Sequence, residues 1–134
     1  MQNPSEFANR TILIVDDDRF SRALVREICV QLGFGRILLA ADGVEALEAC
    51  RAHNPDVVLS DLLMPGIDGL GFLERVRSGR GAAPDRDVPV VFLSGAATEA
   101  ALKRAMVVGV DRCLAKPPSV DRVRRSLRAA LLGR

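Results

Sequence analysis

Several residue types with distinctive chemistry are scarce in this chain. Its 134 residues include no tryptophan, no tyrosine and one histidine. The three cysteines lie far apart without CxxC spacing, which favours reduced, mostly core thiols over a disulfide framework or a zinc site; they are Cys29, Cys50 and Cys113. We interpret His53 as a surface residue near the end of a helix, because an Asn-Pro pair follows it. Metal sites built on histidine are therefore not expected.

Long apolar runs and a strong charge excess are also absent. No signal-peptide pattern opens the sequence, and no apolar run approaches membrane-spanning length. Lys and Arg total 19 and Asp and Glu total 17, so the net charge of +2 gives no strong reason to expect nucleic acid or a membrane as a partner. A hydrophobic share of 49% predicts one buried core. We expect a cytoplasmic protein of one domain.

Apolar runs rich in β-branched residues alternate with segments of helical periodicity. The predicted strands are residues 11–15, 36–40, 56–60, 89–93 and 110–115, and the predicted helices are 18–32, 42–53, 69–78, 98–108 and 119–132. Because parallel strands need crossover connections, this alternation predicts an α/β fold with helices on both faces of a parallel sheet. The first, third and fourth strands are apolar throughout and should be central, whereas the fifth should be an edge strand.

Features outside this alternation predict the domain limits and two helix faces. Residues 1–10 are polar and predict a flexible leader, with the domain at 11–132 and a tail at 133–134. The first helix should end at Gly33, and its apolar stripe is formed by Phe20, Leu24, Ile28 and Leu32. The last helix carries arginines that we interpret as a solvated face rather than a site for DNA or an acidic partner; they are Arg122, Arg124, Arg125 and Arg128.

Polar residues stand where the predicted strands end. Asp16 and Asp17 end the first strand, and the third, fourth and fifth strands lead into Asp61, Ser94 and Lys116. Ligands bind beyond this edge of a parallel sheet. If the first, third and fourth strands are neighbours, three carboxylates converge, and each close pair repels by about 4 kcal/mol at about 4 Å and an effective dielectric of about 20. Such a cluster needs cations.

The cations that suit this cluster indicate its chemistry. Lys116 supplies one, and a hard divalent ion with oxygen ligands suits carboxylates where no histidine or thiolate is present. We predict Mg²⁺, which often binds carboxylates together with phosphate oxygens. Asp61 is then a nucleophile toward phosphorus, with Ser94 and Lys116 stabilising phosphoryl oxygens. Each residue alone is typical of a turn or a helix cap, and only their conjunction favours function.

Four stretches carry a resemblance to the receiver domain of two-component response regulators. They are ILIVDDD at 12–18, VVLSDLLMPGIDG at 57–69, VVFLSG at 90–95 and CLAKPP at 113–118. The resemblance covers roughly residues 10 to 132. It implies a flavodoxin-like (βα)5 three-layer sandwich whose five parallel strands have the order 2-1-3-4-5.

The resemblance also implies roles for individual residues. Asp61 would accept a phosphoryl group from a histidine kinase or a histidine phosphotransfer protein. Asp17, Asp61 and the backbone carbonyl of Leu63 would hold Mg²⁺, and Asp16 would act directly or through water. The domain would catalyse only its own phosphorylation and dephosphorylation.

Residues at the ends of the last two strands would respond to the phosphoryl group. Ser94 would bond to it, Gly95 would leave room beside it, and Lys116 would pair with it next to a cis bond to Pro117. The added charge would then switch the face formed by the predicted helix at 98–108, the fifth strand and the last helix. That face would control a downstream effector protein or an output domain, and phosphorylation-linked homodimerisation through it is a further expectation.

Three positions depart from the commoner family pattern. Cys113 stands where many relatives have a tyrosine or phenylalanine, so a rotating aromatic cannot report phosphorylation. Leu63 and Ala96 are apolar at positions that in some relatives help to orient a hydrolytic water, so we expect a long-lived phosphoryl group. The sequence does not decide between a stand-alone receiver and part of a larger regulator.

Two rival readings stay open at this point. A haloacid-dehalogenase-like phosphatase also uses an aspartyl phosphate, and Asp16-x-Asp18 resembles its first motif. However, the residues after Asp18 do not fit that motif, no late acidic pair is present, and no cap is inserted. A degenerate receiver that only binds partners is the second alternative, against which the complete set of acidic residues argues.

Overall fold

The computed structural model describes residues 5–79, 85–95, 103 and 112–133. Its strands are β1 Thr11–Val15, β2 Arg36–Ala40, β3 Val57–Asp61, β4 Val90–Ser94 and β5 Arg112–Ala115. Its helices are α1 Arg19–Leu32, α2 Gly43–His53, α3 Gly69–Ser78 and α4 Val120–Leu132. The helix predicted at 98–108 lies outside the described residues, except for Lys103.

The five strands form one parallel sheet in the order β2-β1-β3-β4-β5. This confirms the predicted α/β fold, with β1, β3 and β4 in the centre and β5 at an edge. Strands β3 and β4 each end one residue later than predicted. Asp61 and Ser94 are therefore the last residues of their strands, which fixes their backbones in the hydrogen-bonded ladder.

The core consists of two layers, one on each face of the sheet. Successive strand side chains point to opposite faces. In β1, Leu13 and Val15 accordingly belong to the layer beneath α2 and α3, and Ile12 and Ile14 belong to the layer beneath α1 and α4. The helices on both faces leave the carboxyl ends of the strands as the edge where polar side chains gather.

The apolar stripe predicted for α1 is wrong in its first half. Phe20 and Leu24 are 84% and 49% exposed. A four-residue spacing advances by more than one helical turn, so it drifts by about 40° at each step and leaves the core face. The buried face of α1 instead consists of Val25, Ile28, Cys29 and Leu32. Gly33 ends the helix in a left-handed conformation with φ of 82°, as predicted.

Residues 5–10 pack on the domain, which corrects the flexible leader predicted for that part of 1–10. Phe7 is buried and stacks on Phe34 with ring centroids 4.6 Å apart. Both carboxylate oxygens of Glu6 accept hydrogen bonds from Arg128, at 2.7 and 2.6 Å. The sequence signal was the single phenylalanine within the polar segment. All four arginines of α4 are exposed, as predicted, although Arg124 and Arg125 pair with Asp121 and Arg128 pairs with Glu6.

The cysteines and the single histidine lie largely where the sequence predicts them, with two cysteines in the core and the histidine at the surface. Cys29 and Cys50 are buried, and burial raises the pKa of each thiol to about 12. Cys113 is exposed. His53 is exposed at the end of α2, with its Nδ1 atom 3.1 Å from Nη2 of Arg36. Among the described residues, no helix combines the length and the apolar character that crossing a membrane requires.

Gly69 generates a test of how tightly α3 packs beneath the end of β3. A Cβ atom on Gly69 would lie 2.4 Å from the backbone oxygen of Asp61 and 2.8 Å from Cε1 of Phe92. Since the backbone cannot move aside cheaply, we expect Gly69→Ala to lower the free energy of unfolding by about 1–3 kcal/mol. Urea denaturation measures this change.

Gly71→Ala is the matched control in the same helix. Its Cβ atom would come no closer than 3.3 Å, to Cγ2 of Ile67. Because alanine has the higher helix propensity, this variant should be neutral or more stable by up to about 1 kcal/mol. Equal urea midpoints for the two variants would contradict the close approach at Gly69.

Candidate functional site

The carboxyl ends of four adjacent strands bring the predicted site residues together. Asp16 follows β1, Asp61 and Ser94 end β3 and β4, and Lys116 follows β5. The backbone N–H of Lys116 donates to the carbonyl of Ser94 at 3.0 Å, so the β4–β5 ladder continues into the site. The peptide bond from Lys116 to Pro117 is cis, as predicted.

Lys116 joins two buried acids. Its Nζ atom lies 3.1 Å from Oδ2 of Asp16 and 3.3 Å from Oδ2 of Asp61. Asp16 is 1% exposed and Asp61 is 9% exposed, so both ion pairs are largely shielded from water. One ammonium group between two carboxylates leaves the site with excess negative charge.

Asp17 completes the acidic cluster at the solvent side. Single carboxylate oxygens of Asp16, Asp17 and Asp61 all lie within 4.8 Å of one another. Asp17 is exposed, and no hydrogen bond to its side chain occurs among residues that the structure describes. A set of oxygen ligands without histidine or thiolate fits a hard divalent cation such as Mg²⁺.

The first turn of α1 holds Asp16 in place. Oδ1 of Asp16 accepts a hydrogen bond from the backbone N–H of Asp18 at 2.9 Å, and Oδ2 accepts one from the Ser21 hydroxyl at 2.5 Å. Nη1 of Arg22 donates to the Asp16 carbonyl at 2.7 Å. Sequence reasoning missed Ser21 and Arg22. Their position in the first turn after the acidic residues was the only available signal.

Burial and neighbouring charges shift the pKa values of Asp61 and Lys116. Burial raises the pKa of Asp61, the charge of Lys116 opposes that change, and the charges of Asp16 and Asp17 add to it. Burial alone would lower the pKa of Lys116, but its hydrogen bond to Asp16 and the charges of Asp61 and Asp16 raise it overall. The ammonium group is therefore firmly charged at neutral pH, whereas the Asp61 carboxylate is held at a cost.

The remaining predicted residues lie at the same edge of the sheet. The buried Ser94 hydroxyl lacks a hydrogen-bond partner within the described part of the chain. Among the described residues, the nearest neighbour of a Cβ atom on Gly95 would be Cδ of Lys116 at 3.8 Å, an ordinary van der Waals contact. Leu63 is 47% exposed, and the metal-binding role of its carbonyl stays a prediction. Ala96 lies outside the described residues.

Comparison with known proteins gives a family match over most of the chain. The family model for the response regulator receiver domain matches residues 12–128. A probable chemotaxis protein CheY of Rhizobium etli is 32% identical over 118 residues, which is 88% of this chain and 89% of that protein. The regulator of RpoS of Escherichia coli is 36% identical over 123 residues, and the match covers 91% of this chain but 35% of that protein.

A solved structure shares both the fold and part of the sequence. It is the receiver domain of a sensor histidine kinase from Pseudomonas aeruginosa, with a magnesium ion coordinated in the active site cleft. The TM-score is 0.80 at 26% identity, and the match covers 92% of this chain and 98% of that one.

The charge excess at the site predicts that Asp61→Asn stabilises the metal-free domain. A carboxyl group with a raised pKa binds its proton more tightly in the folded state, so its contribution to stability falls as pH rises from the unfolded pKa through the folded one. At pH 7 in EDTA, we expect the free energy of unfolding to rise by about 1 kcal/mol. The gain should shrink as pH falls from 7 toward about 4, the ordinary value for a carboxyl group, because the raised pKa of Asp61 lets the folded wild-type protein take up that proton first.

Asp87→Asn is the control, because it removes a carboxylate from an exposed residue before β4. Its urea midpoint should stay close to that of the wild type at both pH values. A less stable Asp61→Asn variant at pH 7 would mean that the ion pair with Lys116 outweighs burial and repulsion.

Proposed function

The chain belongs to the response regulator receiver domain family, and from this membership we propose that Asp61 is the residue that accepts the phosphoryl group. Receiver domains act in two-component signalling, so the donor is a phosphohistidine of a histidine kinase or a histidine phosphotransfer protein. The observation that carries the proposal is the Lys116 ammonium group 3.3 Å from the Asp61 carboxylate within a cluster of acids.

The residues of the site suit attack on phosphorus. A carboxylate oxygen of Asp61 forms a bond to phosphorus while the donor's phosphorus–nitrogen bond breaks, and the donor imidazole keeps that electron pair and takes up a proton. Lys116 offsets negative charge on the phosphoryl oxygens, and the unpartnered Ser94 hydroxyl donates a hydrogen bond to one of them. The domain thus catalyses its own phosphorylation and dephosphorylation and no other reaction.

We assign Mg²⁺ binding to Asp17, Asp61 and the carbonyl of Leu63. Asp16 would act directly or through water, because its Oδ1 atom accepts one hydrogen bond, from the Asp18 backbone, and keeps capacity for a further contact. Bound Mg²⁺ supplies positive charge that offsets repulsion between the carboxylates and the incoming phosphoryl group. The magnesium ion in the related receiver structure from Pseudomonas aeruginosa supports this assignment.

Phosphorylation then changes the charge balance of the site. A phosphoryl group adds about −1.5 to −2 charges, which draws donors such as Ser94 toward it. Because Cys113 is exposed on β5 and is not aromatic, the change passes through shifts of backbone and loops or through another side chain. The output is control of an effector protein or an output domain through the surface that includes β5 and α4, with homodimerisation as one form of that output.

Labelling by a small phosphodonor tests the phosphoacceptor. We expect incubation with acetyl phosphate and Mg²⁺ to give a single phosphoryl adduct by intact mass, and hydroxylamine should release it because the bond is an acyl phosphate. Asp61→Asn should give no adduct. Asp68→Asn is the matched control, since asparagine also caps α3 and the residue belongs to the same loop. An adduct that persists in Asp61→Asn would rule out the assignment, and no adduct in the wild type would favour a degenerate receiver.

The lifetime of the adduct tests the apolar surroundings of Asp61. We expect slow hydrolysis of the purified phosphoprotein, because the exposed Leu63 side chain cannot orient an attacking water. Leu63→Gln should shorten the half-life several-fold. Leu39→Gln is the control, since Leu39 on β2 is 46% exposed, close to the 47% of Leu63. A half-life that is already short in the wild type would contradict this interpretation.

A further inference from the structure

We propose that Ser21 is a positioning residue for phosphoryl transfer, acting on Lys116 through the carboxylate of Asp16. The inference rests on the proposed function, because it concerns the rate at which Asp61 becomes phosphorylated. Ser21 is neither a proposed Mg²⁺ ligand nor a proposed contact of the phosphoryl group, and the family resemblance implies no role for it.

The geometry singles out one shared oxygen atom. Oδ2 of Asp16 accepts the Ser21 hydroxyl at 2.5 Å and the Lys116 ammonium at 3.1 Å. The same ammonium lies 3.3 Å from Oδ2 of Asp61. Ser21 thus contacts the Asp16 oxygen that pairs with Lys116, whereas the Asp18 backbone N–H donates to the other oxygen of Asp16.

The position of Ser21 is fixed by the start of α1. Its backbone N–H donates to Oδ2 of Asp18, the N-cap residue, at 3.3 Å. Serine hydroxyls in a first helical turn commonly bond to nearby backbone groups. Here the hydroxyl instead reaches a carboxylate that is 1% exposed, where a hydrogen bond to a charged group is strong.

Removal of the Ser21 hydroxyl should change the position of the Lys116 ammonium group between Asp16 and Asp61. The Ser21 hydrogen bond satisfies part of the negative charge on Oδ2 of Asp16 and holds that carboxylate in one orientation. Without it, the oxygen attracts the Lys116 ammonium more strongly and holds it away from Asp61. Lys116 then offsets less charge on the phosphoryl group, which slows transfer.

Metal binding should respond differently from the rate. Ser21 contributes no ligand to the acidic cluster, and Asp16 carries more unsatisfied negative charge once the hydroxyl is gone. The affinity for Mg²⁺ should therefore stay the same or increase. A variant that merely loosened α1 would lose metal affinity and rate together.

Three variants test this inference with Mg²⁺ alone and acetyl phosphate as probes. In Ser21→Ala, the labelling rate at saturating Mg²⁺ should fall about fivefold. This decrease is smaller than the loss of a complete hydrogen bond to a charged group would cause, because Ser21 acts on the rate only through Asp16. The Kd for Mg²⁺ from calorimetric titration should not rise. Ser21→Thr keeps a hydroxyl and should restore the rate. Ser78→Ala, which alters an exposed helical serine away from the site, should match the wild type.

The outcomes separate this inference from the assignment of Asp61. If wild-type protein is labelled and Ser21→Ala is labelled equally fast, the positioning role is overturned while the phosphoacceptor stands. A parallel loss of rate and metal affinity in Ser21→Ala, or no recovery in Ser21→Thr, would also overturn it. If wild-type protein takes no label, the proposed function itself fails.

Discussion

The site depends on the two ion pairs of the Lys116 ammonium group, because they join acidic residues at the ends of two other strands. It reaches Asp16, which lies 100 residues earlier in the chain, and Asp61 at the end of β3. Without a cation between them, two largely buried carboxylates would repel each other in a medium that screens charge poorly. The strand order β1-β3-β4-β5 allows Lys116 to contact both acids, because the carboxyl ends of all four strands lie along one edge of the sheet and only β4 separates β5 from β3.

The same burial that makes this cluster costly also favours contact between the Asp61 carboxylate and a cation. The raised pKa of Asp61 records a carboxylate that water solvates incompletely and that gains by bonding to an electrophile or a cation. The central strands cannot relieve this cost by moving, because Asp61 is held in the β3 ladder and Gly69 packs against its carbonyl at the start of α3. A rigid scaffold thus maintains an unfavourable concentration of negative charge that a bound divalent cation would relieve.

Most of the fold could be predicted from the periodicity of apolar residues, and most residues of the site could be predicted from their positions at the ends of the strands. Alternation located the strands, and the ends of the third and fifth strands located Asp61 and Lys116. The errors arose where local pattern does not determine packing. The stripe through Phe20 and Leu24 has helical spacing but drifts off the core face, and Phe7 within a polar segment gave no periodicity although it fills a gap beside Phe34. The sequence places Ser21 only in the first turn after the acidic residues, because its hydrogen bond to Asp16 depends on the side-chain positions of both residues.

Adjacent positions in the sequence have opposite roles in the site. Asp16 points inward, and both of its oxygens accept protein donors, so it serves as an anchor for Lys116. Asp17 is exposed, and the described residues provide no donor to its side chain, so its oxygens keep their capacity for a cation. Both residues follow Val15, the last residue of β1, and they differ in burial, since Asp16 is 1% exposed whereas Asp17 is exposed. The acidic doublet therefore supplies a partner for Lys116 at its first position and, at its second, carboxylate oxygens that accept no hydrogen bond from the described residues.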